Sequence, residues 1–373
     1  MTTNKRILDY DLQLVRLFAD LIPTTEYENR EVAEGTYDYI FCHREGIQDN
    51  YEHIKSFTHS TTKIVVDLTT ESGNLQPFLD YFYELTNTEP YQFYLILDTD
   101  ITSYLNKVKV NYKVLHSFEI VYYAFLNEKS DNIIMSDVSA FKNGFVSLNN
   151  SVRPQRIALL LEFLKRNIPL DNCSFLFTTA GPLGSVFTPE IYRQSVQTFN
   201  DNNEITADDV KLLMGIKLPK LLDHDVNTPT YIHNNINYLY EPILNFVTEN
   251  VTGIDKEDIS RYGLLTYTEK CIKPFVAGQI PLMLSLVGTQ DVLRGLGFDL
   301  FDDLIDTSYE KEPIAFKRLS MMVDELERLL KMDLVEYKKN NIHRFEDNVN
   351  NLHRLKKSGF EMVKSFLYDE IYK

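Results

Sequence analysis

Short apolar runs alternate with helix-length segments over the first half of this chain, and that rhythm is its strongest constraint. The runs are Tyr37–Cys42, Thr62–Asp67, Tyr91–Leu97 and Glu119–Ala124. Strands separated by helices pair in parallel through crossovers, so the expectation is an α/β fold. One crossover helix is expected over Asn74–Leu85, with apolar residues at spacings of three and four and Pro77 in its first turn.

The pattern returns after residue 140. A short strand, Phe145–Asn149, precedes a segment in which Pro154 suits a first helical turn and Asn150 or Ser151 is the candidate cap. Ile157, Leu160, Leu161 and Leu164 then form a buried stripe. A further strand covers Cys173–Thr178, and a polar stretch over Thr188–Asn235, with a short helix near Ala207–Leu213, reads as an insertion or connection. Apolar segments at Tyr238–Asn250 and Ile280–Leu286 follow, and the chain ends in helices over Lys317–Lys331 and much of Phe345–Tyr372. No internal repeat is visible. At 373 residues the chain exceeds what one core usually serves. The expected division is 1–140, 141–335 and a helical extension over 336–373.

Composition removes several classes of function. The net charge of −16 repels phosphate backbones and anionic membranes, so any nucleic-acid contact needs a local basic patch. Lys338–Arg344 and His353–Lys357 make the C-terminal segment locally basic against the acidic whole. No apolar run approaches the roughly 18 residues of a membrane span. The N-terminal segment has acids inside its apolar stretch and lacks a signal-peptide core. Three widely spaced cysteines fit a reducing compartment, so a cytoplasmic location is expected, and no histidine or cysteine has zinc-site spacing.

Charged residues in apolar surroundings mark the candidate site. Around Tyr267-Thr268-Glu269-Lys270 a helix is expected to begin, broken early by Pro274 and ended by Gly278. A lysine beside free backbone N–H groups makes an anion site, and the neighbouring glutamate can accept from sugar hydroxyls. The bland alternative is a capping threonine with a solvated Glu–Lys pair. Arg153 and Arg156, three apart, share one side of a helix start, where two guanidiniums suit a diphosphate.

These elements together carry a resemblance. Arg153-Pro154-x-Arg156, then Thr248-Glu249-Asn250, then Tyr267-Thr268-Glu269-Lys270 with Pro274 and Gly278-x-x-Pro281, then Leu296-Gly297-Phe298 and Asp306-x-Ser308-Tyr309 resemble a glycosyltransferase module. The resemblance is to the donor-binding half of the α-1,3-fucosyltransferases and to glycosyltransferase-like proteins of large DNA bacteriophages. It spans about residues 145–330. It implies a GT-B architecture, two Rossmann-like domains facing across a cleft, with the donor in the C-terminal one. It also implies that Arg153 or Arg156 and Lys270 grip the diphosphate of a nucleoside-diphosphate sugar, without a metal or other cofactor. Glu269 and Glu249 would orient hydroxyls, with Thr248, Asn250, Tyr267 and Thr268 lining the same site.

An inverting transferase also needs a carboxylate to accept the acceptor's proton. Asp67 and Glu71, after the strand Lys63–Val66, are the catalytic candidates. A rival pattern is Asp98-x-Asp100, which reads like the metal-binding acids of the GT-A class. The leading expectation for the acceptor is a hydroxymethylated pyrimidine of phage DNA, which would place the protein in the host cytoplasm. The alternatives are a saccharide acceptor and a non-catalytic nucleotide-sugar-binding protein of the same fold.

Overall fold

The computed structural model describes residues 6–10, 28–29, 31, 33–68, 81–85, 92–97, 112–116, 142–149, 153–171, 173–175, 206–216, 241–249, 269–367 and 369. The protein is mixed α/β and divides into two compact units. Unit 1 takes Met1–Tyr122, Arg261–Leu264 and His353–Lys373; unit 2 takes Tyr123–Ser260 and Leu265–Leu352.

Among the described residues, unit 1 holds a six-stranded sheet. Its strands are β1 (Ile7–Asp9), β2 (Glu28–Asn29), β3 (Tyr39–His43), β4 (Lys63–Asp67), β5 (Gln92–Leu97) and β6 (Tyr112–His116). The order is β2-β1-β3-β4-β5-β6, and every pairing is parallel. Continuous apolar runs such as Ile64-Val65-Val66 and Phe93-Tyr94-Leu95 suit strands covered on both faces, and all six side chains are buried. Register places Leu8, Ile40, Ile64 and Phe93 in one row. That row packs with Ile47 and Ile54 of helix α1 (Arg44–Lys55). Each such side chain contributes about 1.5–3 kcal/mol when fully buried. Of the crossover expected over Asn74–Leu85, residues 81–85 are described and are helical. The strand expected over Glu119–Ala124 lies outside the described residues.

Among the described residues, unit 2 holds four parallel strands: β7 (Lys142–Asn149), β8 (Cys173–Phe175), β9 (Pro242–Thr248) and β10 (Ile280–Leu284). Their order is β10-β9-β7-β8. All seven residues of β9 are buried, as its interior position requires. Pro281 is tolerated in β10 because that strand lies at the sheet's edge. The two sheets share one topology. In each, the first strand lies between the second and the third, which puts a switch point at β1/β3 and another at β7/β9. Sequence inspection finds no repeat because this likeness is one of strand order.

Helix α2 (Pro154–Lys165) follows β7. Its N-cap is Arg153, in extended backbone, and makes no side-chain cap bond; the expected caps Asn150 and Ser151 are displaced. The cause is Pro154, which excludes its predecessor from helical backbone and itself suits the first helical position. Gln155–Phe163 are all buried, so the expected apolar stripe is one part of a helix covered on nearly every side. Phe163 packs edge-on against Phe145 and Phe246, at 5.4 and 5.6 Å between centroids. Helix α3 (Ala207–Met214) begins in a capping box made by Thr206 and Asp209.

Helix α4 (Glu269–Val276) contains Pro274 and ends as expected at Gly278, whose φ is +59°. The Gly278 N–H donates to Phe275 O at 3.1 Å and the Gln279 N–H to Pro274 O at 2.8 Å, the two bonds of a Schellman turn. After β10 come α5 (Thr289–Gly295), α6 (Ala315–Leu329), α7 (Leu334–Asn340) and α8 (Ile342–Leu367). The division between units falls within α8, after Leu352.

The segment Lys338–Arg344 does not form an exposed basic face. Arg344 bonds in bidentate fashion to Asp299 and to Asp303, at 2.6–3.0 Å. Lys338 is fully buried, and its ammonium donates to the Gly278 carbonyl at 2.6 Å, 4.9 Å from the Phe345 ring centroid. A cation there meets the negative end of α4. Burial lowers the Lys338 pKa from 10.5 to about 7. The unfolded chain therefore binds one more proton between those values, and stability rises with pH across that window. Lys338→Met is predicted to remove this part of the rise, read as urea midpoints of both proteins from pH 6 to pH 10.

Candidate functional site

A helix that joins two parallel strands must run back from the carboxyl end of one to the amino end of the next. The N-termini of α2 and α4 therefore belong to the carboxyl edge of unit 2's sheet. Ligands of doubly wound sheets collect at that edge, at the switch point, which here is the pair β7 and β9. Asn149 is the last residue of β7 and Thr248 the last of β9. Glu249 continues the pairing, its N–H donating to Leu284 O at 2.9 Å.

A directed chain of buried polar groups ties this edge together. Arg156, 1% exposed, donates from Nε to Thr248 Oγ1 at 3.3 Å and from Nη2 to Thr248 O at 3.4 Å. Thr248 Oγ1 donates to Asn149 Oδ1 at 2.7 Å, Asn149 Nδ2 to Ser147 Oγ at 3.0 Å, and Ser147 Oγ to Phe246 O at 3.0 Å. Beside it Gln155 Nε2 donates to Glu249 O at 2.9 Å. A guanidinium stays charged in proteins and must meet acceptors when buried. Here those acceptors are the end of β9, so Arg156 locks the first turn of α2 to the switch point.

The residues expected at the site take different places. Arg153, at the N-cap of α2, is exposed, whereas Arg156 is interior. Thr248 and Glu249 are both buried at 2% exposure. Glu269 opens α4 and Lys270 follows, half-buried, in its first turn. Three separate segments of the expected set thus reach one edge of one sheet. Asn250, Tyr267 and Thr268 lie outside the described residues. Of the catalytic candidates, Asp67 is the last residue of β4 and Glu71 lies outside the described residues, as do Asp98 and Asp100. Asn149, Ser147 and Gln155 enter the site without having been singled out; polar residues ending an otherwise apolar strand were the available signal.

Among the described residues no group of three or more His, Cys, Asp or Glu side chains could hold a metal ion. No helix among them is long and apolar enough to cross a membrane. Comparison with known proteins places the chain in no family: no family model, no curated protein and no solved structure matches it.

Replacing Thr248 by valine keeps the shape and removes the hydroxyl shared by Arg156 and Asn149. Leaving both groups short of a partner is predicted to cost about 1–3 kcal/mol. The check is a urea titration of Thr248→Val against the parent, where an unchanged midpoint would mean that the chain of bonds carries no stability.

Proposed function

We propose that this protein is a glycosyltransferase that moves a sugar from a nucleoside-diphosphate sugar to an acceptor hydroxyl, with the donor held at the carboxyl edge of unit 2. The observation that carries the reading is the convergence at that edge of Arg153 and Arg156, Thr248 and Glu249, and Glu269 and Lys270. The GT-B arrangement of two Rossmann-like domains belongs to the same proposal; its support is the strand order that both sheets share.

The chemistry assigns the residues distinct tasks. Breaking the bond between the anomeric carbon and the diphosphate leaves negative charge on the departing nucleotide. Lys270 and Arg153, together with the N-termini of α2 and α4, supply positive charge to it. Glu269 accepts from hydroxyls of the sugar or ribose. Arg156 acts at one remove, holding the end of β9 against α2 through its bonds to Thr248.

Charge bears on the acceptor class. Lys338 is interior and Arg344 is neutralised by Asp299 and Asp303, which withdraws two cations from one of the two basic segments, Lys338–Arg344. This favours a saccharide hydroxyl over a modified pyrimidine in DNA.

Thermal-shift screening of nucleoside-diphosphate sugars, with and without EDTA, tests donor and class together. A shift that vanishes in EDTA would favour the metal-dependent GT-A reading through Asp98 and Asp100. For the donor that binds, Lys270→Ala is predicted to raise the dissociation constant roughly ten- to hundredfold, the worth of a charge-assisted bond to phosphate. Unchanged affinity by calorimetry would contradict the assignment.

A further inference from the structure

Helix α1 and strand β4 are joined at the amino edge of unit 1's sheet by the segment 56–62, rich in hydroxyl side chains. Ser56 Oγ donates to His53 O at 2.6 Å and Thr58 Oγ1 to Lys55 O at 2.8 Å, which closes carbonyls at the end of α1. The chain then turns over 59–62. The Thr62 N–H donates to His59 O at 2.9 Å, and the His59 N–H donates back to Thr62 Oγ1 at 2.8 Å. Thr62, 1% exposed, fastens this turn to the sheet, its hydroxyl donating to Tyr37 O at 2.7 Å.

That turn sets a hydroxyl, an imidazole and a carboxylate in series. Thr61 Oγ1 lies 3.0 Å from His59 Nδ1, and His59 Nε2 lies 3.5 Å from Asp38 Oδ1. The Thr61 backbone N–H also donates to Nδ1, at 3.3 Å. A backbone N–H can only donate, so Nδ1 is an acceptor and the neutral ring carries its proton on Nε2, the nitrogen beside Asp38. The Thr61 hydroxyl therefore gives its hydrogen to Nδ1 and keeps its oxygen lone pairs for reaction. Asp38 is itself held: Oδ2 accepts from the Arg6 N–H at 2.8 Å, and its backbone bonds to Arg6 O at 3.0 Å and to the Lys63 N–H at 2.9 Å. Thr61 is exposed, and the His59 and Asp38 side chains are 33% and 42% exposed, so all three reach solvent.

A hydroxyl within hydrogen-bond reach of a base that a third group orients is the arrangement of an activated nucleophile. We propose that Thr61 is the nucleophile of an acyl-transfer site on unit 1, with His59 as its general base, Asp38 as the positioning residue and a small activated ester as the acyl donor. The three side chains stand open on a turn, which suits a small ester. Thr61 Oγ1 bonds to the ester's carbonyl carbon while its proton passes to His59 Nδ1. The bond from that carbon to the alcohol oxygen breaks, and the alcohol leaves with the proton from Nδ1. Water then reverses the sequence: it gives a proton to Nδ1, its oxygen bonds to the acyl carbon, the bond to Thr61 breaks and Thr61 recovers the proton. Ester and water thus become acid and alcohol. Asp38 is the carboxylate that meets the imidazolium formed in each step. The cations on neighbouring segments are engaged elsewhere, Arg6 with Glu28 at 3.0 Å and Lys63 over the Tyr39 and Tyr94 rings. None of these groups belongs to the carboxyl edge of unit 2, so this activity stands or falls apart from glycosyl transfer.

The test incubates the full chain with p-nitrophenyl acetate, quenches it in acid and maps the acetate by peptide mass spectrometry. Acetate is expected on Thr61, with p-nitrophenol released by the wild type and by Thr61→Ser. His59→Gln is expected to lower kcat about 10²–10⁴-fold. Asp38→Asn is expected to lower kcat with KM unchanged, because an amide can turn its NH₂ towards the ring and upset the tautomer. Thr61→Val is expected to fall to the rate of the urea-unfolded chain. Urea midpoints establish that each variant is folded, and Thr61→Ser against His59→Gln decides the matter if Thr61→Val is not. Acetate on lysines or on His59 with Thr61 bare overturns the proposal, as does release by Thr61→Val at the wild-type rate. If the wild type takes no acetate while His59→Gln and Thr61→Val only lower the urea midpoint, the three groups merely fasten the turn and the proposal falls.

Discussion

Every strand pairing described in this protein is parallel, and a parallel neighbour can be reached only by a crossover. That constraint decides where chemistry can gather. Each crossover returns the chain from the carboxyl edge, so strand ends and helix beginnings collect on one side of each sheet. Residues far apart in sequence, such as Arg156 and Thr248, are neighbours there for this reason. The same constraint acts in both units, and the shared strand order gives each its own switch point.

Unit 2's edge is held stiffly by two devices. Arg156, Thr248, Asn149 and Ser147 bind α2, β9 and β7 into one hydrogen-bonded chain below the surface. Helix α4 is secured at its far end, where the Gly278 turn closes its last carbonyls and Lys338 approaches the same turn. A site that must meet developing charge benefits from such support, because dipoles already in place need no reorganisation. The exposed Arg153 and half-buried Lys270 then stand on elements whose positions are fixed from behind.

Much of this was legible in the residues, for identifiable reasons. The strands at Lys63–Asp67, Gln92–Leu97 and Ile280–Leu284 announce themselves because sheets buried on both faces need unbroken apolar runs. The helix at Glu269 with its stop at Gly278 was equally plain. β1 and β2, with three and two residues, are too short to carry a period, and Tyr112–His116 mixes polar and apolar residues. Spacing alone put Arg153 and Arg156 on one side of a helix. It could not show that one is exposed and the other interior, since that depends on where β9 arrives, 92 residues later in the chain. Lys338 was misleading for the same reason: its partner at Gly278 is 60 residues away.

The central claim is that the carboxyl edge of unit 2 holds a nucleoside diphosphate. Hydrogen exchange read by mass spectrometry, with and without a saturating nucleoside diphosphate, tests it most directly. The account predicts slowed exchange confined to the segments around 149–156, 248–250 and 267–271. Protection elsewhere, with these three segments exchanging as before, would contradict it.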